Sequence, residues 1–160
     1  MWLRFGFYRQ PYRLFMERIE GWEIKLDDFI KSRQNQKFQW GWHDCALFAC
    51  DAIREITGND LAWHFRGGYK TKDEAYLMLS SFAGGGLLET FEKLTKEFGM
   101  DEIEQGFAGR GDAVLCNVPT VINEELPTLG IIGMSGMIHI PGTRQLQIFE
   151  KTIGEKFWKV

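Results

Sequence analysis

The stretch Trp40-Gly41-Trp42-His43-Asp44-Cys45-Ala46-Leu47-Phe48-Ala49-Cys50-Asp51-Ala52-Ile53 decides how the chain is read. After Asp44 the apolar positions fall at Cys45, Phe48, Ala49, Ala52, Ile53 and Ile56, the spacing of one buried helical face, and Thr57-Gly58 ends the run. Asp44 is a good N-cap, so Cys45 is expected in the first turn of a helix. Unpaired amide N–H groups and the positive end of the helix dipole there favour a thiolate, which is how a cysteine nucleophile is made. A capped core helix that simply begins with a cysteine gives the same string, because free cysteine is among the most buried residue types.

The whole chain bounds what such a helix can serve. Its 160 residues suffice for one domain with a proper core, and 44% apolar with 26% mixed-sign charge is ordinary for a globular protein. A net charge of −3 gives nucleic acid little general attraction, so no nucleic-acid partner is expected. Three cysteines without a C-x-x-C pair argue against a disulfide framework and against a thiolate zinc site, and point to assembly in a reducing cytosol. No metal or other cofactor is expected. No apolar run approaches the roughly eighteen residues a membrane helix needs. Arg4 and Arg9 interrupt the aromatic N-terminus too early for an export signal.

Outward from the central helix, residues 1–20 hold four arginines against two acids, with Trp2, Phe5, Phe7, Tyr8, Tyr12 and Phe15 among them. Such a basic-aromatic arm suits a partner's groove or a membrane surface, or else packs against its own domain. Residues 21–160 form the domain proper. Helices are expected over Glu20 to Arg33, Glu74 to Ser81 and Leu87 to Phe98, the last closed by Gly99. Gly84-Gly85-Gly86 lacks the Lys-Ser or Lys-Thr of a phosphate-binding loop and reads as a helix lead-in. Arg66, in a glycine-rich turn, is a candidate anion binder. From Met100 the runs shorten to strands at 100–103, 112–117, 129–134, 137–140, 145–150 and 156–160, and residues 117–127 read as a long polar loop between strands. Helices first and strands after is the α+β pattern. Trp40 and Trp42 either wall a groove beside Cys45 or are plain core.

Trp40-Gly41 followed by Asp44-Cys45 at the head of a helix resembles the nucleophile segment of NlpC-like papain-fold cysteine peptidases, which cut the peptide stems of bacterial cell wall. In that family the helix is followed by a Gly-Asp-apolar strand, matched here by Gly111-Asp112-Ala113-Val114-Leu115. A two-strand hairpin comes next, matched by the segment from Thr128 to His139. The resemblance implies a papain-like, NlpC-type α+β fold with N-terminal helices packed on a small antiparallel β-barrel or sheet. It places Cys45 as candidate nucleophile, His139 as candidate third polar residue, and Thr128 where the general-base histidine belongs, with Trp40, Trp42 and Asp44 lining the cleft. A threonine hydroxyl cannot take a proton from a thiol near neutral pH, whereas an imidazole can.

The strings F-x-W-G-x-x-D-C-A-L-F, I-T-G-N-D-L, F-R-G-G-Y, G-R-G-D-A-V-L, L-G-I and the final F-W-K-V, spread over about residues 20 to 160, are similar to an NlpC-like family of prophage and phage tail-cluster proteins. That resemblance implies a virion protein of the tail tip or baseplate, assembled in the host cytoplasm. Its expected partners are hub, distal tail or tip proteins, met through residues 1–20. The alternative is an active cysteine endopeptidase or amidase acting on peptidoglycan during entry, with Cys45 as nucleophile and His139 or His43 as base. A third reading is a stand-alone module binding a ligand in an aromatic-lined cleft.

Overall fold

The structure, a computed structural model, describes residues 16–119 and 125–160. The expected partner arm therefore lies largely outside the described residues. Four helices come first: α1 (Trp22–Arg33), α2 (Cys45–Thr57), α3 (Lys72–Ala83) and α4 (Leu87–Phe98). Three of them are punctuated by side-chain caps or closing glycines, and α1 by neither. Asp44 and Thr71 cap α2 and α3 through their side chains, and Gly58, Gly84 and Gly99 close α2, α3 and α4 in the left-handed conformation.

Six short strands follow: β1 (Glu102–Ile103), β2 (Ala113–Pro119), β3 (Glu125–Ile132), β4 (Ile138–Pro141), β5 (Leu146–Phe149) and β6 (Gly154–Trp158). They form one antiparallel sheet in the order β1-β6-β2-β3-β4-β5. Since β1 and β5 are its two edges, the strand half is an open sheet and not a closed barrel. The fold is thus α+β, with α2 packed on β3 and β4, and α1 on α2.

Strand alternation divides the sheet's side chains between two clusters. Ala113, Leu115, Leu129, Ile131, Leu146 and Trp158 join the helices' core around Phe48, Ile53 and Phe91. Val114, Cys116, Val118, Ile132, Ile138, Ile140 and Phe157 form the second cluster, against which Cys45 packs. The long polar loop expected over 117–127 is largely strand: Asn117 pairs with Pro127, Val118 with Leu126 and Pro119 with Glu125. Val118 and Leu126 keep the alternation of β2 and β3 going past the point where the composition turns polar.

Both ends of the described chain are tied to the start of β2. The fully buried Asp112 carboxylate accepts from Arg18 at 2.7 Å, Lys159 at 3.2 Å, and the backbone N–H groups of Gly109 and Val160 at 2.9 and 3.3 Å. Arg18 also donates to the Val160 carbonyl at 2.7 Å. Residues 16–20, read from composition as the end of the arm, are therefore part of the domain.

Candidate functional site

The head of α2 is built by one carboxylate. Asp44, 1% exposed, accepts from the backbone N–H of Leu47 at 2.9 Å, from that of Gly41 at 2.9 Å, and from the Tyr69 hydroxyl at 2.6 Å. Gly41 has φ 75°, and a Cβ there would overlap the Tyr69 carbonyl oxygen, so the Trp40-Gly41 pair of the motif is a backbone requirement. Turn, cap and Tyr69 together fix Cys45 as the first residue of the helix, half-buried.

Cys45 opens on a cavity of ≈ 80 Å³ between α2, α3, α4 and the sheet. Asp44, Trp40 and Thr128 line it too, so with Cys45 the structure brings together four of the residues singled out from sequence, and Tyr69 joins them. It leaves Trp42 and His139 out. Trp42 is 61% exposed and belongs neither to the cavity wall nor to the core. His139 pairs with Ile131, whereas Thr128 pairs with Cys116, so the two side chains leave opposite faces of the sheet. The His139 ring lies over Gly133 beside Ile30 of α1.

None of the chain's three histidines lines the cavity. His43, 1% exposed, turns its Nδ1 to Arg33 at 3.5 Å and sets its ring edge-on to Phe48. His64 is exposed and stacks on Trp63 with ring centroids 3.5 Å apart. Thr128, expected from the resemblance at the position of a base, is buried and donates its hydroxyl to the Leu126 carbonyl at 2.9 Å.

Electrostatics at the helix head run against the expected thiolate. Burial pushes the Cys45 thiol up to about 12, the Asp44 carboxylate adds to the rise, and backbone hydrogen bonding from Leu129 and Ala46 offsets only part of it. The group that caps the helix thereby puts negative charge beside the sulfur. Burial also raises Asp44 itself, against the hydrogen bonds from Leu47, Tyr69 and Gly41. His43 is lowered to about 4, by burial first and by Arg33 second.

One family, described as a domain of unknown function (DUF6950), matches residues 17–160. The chain belongs to that family. No curated protein and no solved structure matches it.

The DUF6950 domain starts at Glu17, so it includes Arg18 and the clamp on Asp112. Within it, Arg66 is not a free anion binder. Its guanidinium is held by Asp60 at 2.6 and 2.9 Å and by the buried Asp51 at 2.5 Å, with Arg33 and Arg54 also on Asp51. Among the described residues no group of three histidine, cysteine or acidic side chains is placed to hold a metal ion, and no helix is long and apolar enough to cross a membrane. Sequence reasoning missed two residues of this cavity. Tyr69 stood in a quoted motif with no hint that its hydroxyl serves Asp44, and Thr90 lies on the buried side of α4, where helical periodicity marks it as a core position.

Proposed function

We propose that this chain is a structural or assembly component of a phage tail tip or baseplate, with a papain-like, NlpC-type scaffold that has lost ordinary cysteine-hydrolase chemistry. The order of short motifs supports the kinship: a cysteine at the head of a helix packed on an antiparallel sheet, the Gly111-Asp112 strand entry, and the hairpin from Thr128 to His139. The single observation that carries the loss of chemistry is that no imidazole lines the cavity holding Cys45.

Nucleophilic cysteine needs a thiolate or a base within hydrogen-bond reach. Thr128, at the position the resemblance gives the base, donates its hydroxyl hydrogen bond to the Leu126 carbonyl. Asp44 has its lone pairs committed to three donors, and by its charge it holds the thiol protonated. Tyr69 is pushed well above the ordinary phenol range by burial, with Asp44 adding to it, and is no base either. A chain left with the scaffold alone serves by contact. The partners we propose are hub, distal tail or tip proteins, with residues 1–20 as one contact.

The test has two arms. Purified cell wall incubated with the protein should release no new amino termini or reducing ends above a buffer blank. Phage carrying Cys45→Ala should assemble tails of normal length and plate at the wild-type efficiency. Turnover that vanishes in Cys45→Ala would instead establish the cysteine endopeptidase or amidase, and absence of the chain from purified tails would end the virion assignment.

A further inference from the structure

Thr90 is 2% exposed, lines the cavity from α4, and has a hydroxyl with no hydrogen-bond partner among the described residues. Other helical hydroxyls solve this locally. Ser32, Thr57 and Thr95 each donate to a carbonyl three or four residues back, at 2.7, 2.8 and 2.9 Å. Thr90 makes no such bond, although the backbone of α4 is regular around it. Buried hydroxyls are nearly always paired, because leaving one unpaired in an apolar place forfeits its bonds to water.

An ordered water is a poorer solution, since a buried water needs two to four polar partners and the cavity that Thr90 lines is mostly apolar, with Leu79, Leu87, Phe91, Leu94 and Leu129 in its wall. The missing partner is better supplied by a molecule whose remaining surface is apolar. Its charge is also constrained. An anion would face the buried Asp44 carboxylate, and a cation would find that carboxylate already taken by three donors. Its size follows from the cavity, which at ≈ 80 Å³ is roughly half of the ~150 Å³ pocket that admits benzene, so the body is a short alkyl chain and not a ring.

We propose that this cavity is a binding site for a small neutral ketone or alcohol, its oxygen on the Thr90 hydroxyl and its alkyl part among the leucines of α3, α4 and β3. The site does not depend on the tail assignment, and it uses Cys45 as wall and not as nucleophile.

The experiment titrates the full chain, methyl-labelled at leucine, with 2-butanone and separately with butyrate, which has a similar skeleton and a charge. Saturable shifts at Leu79, Leu87, Leu94 and Leu129 are expected with the ketone, and binding at least tenfold weaker with butyrate. Thr90→Ser, which keeps the hydroxyl, should retain ketone binding within about twofold, whereas the isosteric Thr90→Val should weaken it about five- to tenfold at unchanged folding. No saturable shift with the ketone, equal binding of butyrate, or equal binding by Thr90→Val would each overturn the proposal. Should Thr90→Val not fold, the ketone against butyrate comparison on the wild-type chain decides alone.

Discussion

Cys45 stands at the first position of a helix, where backbone N–H groups draw a thiol toward ionisation, yet its burial and the neighbouring Asp44 carboxylate push it up to about 12. Desolvation prevails there: the Leu47 N–H is taken by Asp44, and backbone hydrogen bonding from Leu129 and Ala46 offsets only part of the burial. At pH 8 its alkylation by iodoacetamide, followed by intact mass, is expected to run on the order of a thousandfold slower than that of a free thiol. Asp44→Asn removes the charge, keeps the cap, and should quicken the reaction. A rate like that of a free cysteine in the wild-type chain would contradict the burial argument. His43 carries a linked pH dependence. Its folded pKa of about 4 lies below the unfolded value near 6.5, so the fold favours the neutral ring; that contribution is complete above about pH 6.5 and is lost as pH falls toward 4. The shift corresponds to about 3 kcal/mol at most. His139, also lowered by burial, has the same sign, whereas the raised Asp44 runs the other way. Urea denaturation at pH 7 and pH 4.5 should therefore find His43→Phe losing less stability on acidification than the wild-type chain, and equal losses would remove His43 from the account.

At the scale of elements, what the sequence made legible was helical punctuation. The apolar spacing and cap of α2 were readable because both are local, and so were the glycine that ends α4 and the apolar alternation of β2 and β3. Register was not readable. Whether His139 shares a face with Thr128 depends on the turn between β3 and β4, and pairing of Ile132 with Ile138 puts the imidazole on the α1 side. Two apolar runs with glycines between them fit either parity, and a one-residue slip exchanges the faces. The open sheet was equally hidden, because closure is decided by whether β1 and β5 meet and not by the strands' composition. The cap of α2 supports a prediction at this scale. Asp44→Ala removes an N-cap bond, a turn bond from Gly41 and the acceptor of a buried tyrosine hydroxyl, so it should cost about 3 kcal/mol by urea unfolding, against about 1 kcal/mol for Asp44→Asn. Equal costs would mean that the hydrogen bonds to Asp44 do not depend on its charge.

For the whole molecule, the decisive contacts join residues far apart in the chain, and for that reason composition misread them. Gly111-Asp112 was legible as the entry to a strand, which it is, but Asp112 also holds Arg18 from 94 positions upstream and Val160 from 48 positions downstream. Arg18 counted, by its neighbours, as part of a basic arm; structurally it is the peg that fixes the first described residues and the last ones to one carboxylate. Removing one partner of a buried pair leaves the other uncompensated, so Asp112→Ala should cost about 3–5 kcal/mol. Arg18→Ala should cost less, about 2–3 kcal/mol, because Lys159 remains beside the carboxylate. The same contact marks where the domain begins. A chain starting at residue 16 retains the peg and one starting at residue 21 lacks it, so the shorter chain should be destabilised by at least as much as Arg18→Ala, while Asp112→Ala should add little to it. Thermal unfolding of the two truncations with and without Asp112→Ala gives this double-mutant comparison directly. Full additivity between loss of residues 16–20 and loss of the Asp112 carboxylate would show that the N-terminal segment is held by something other than this clamp.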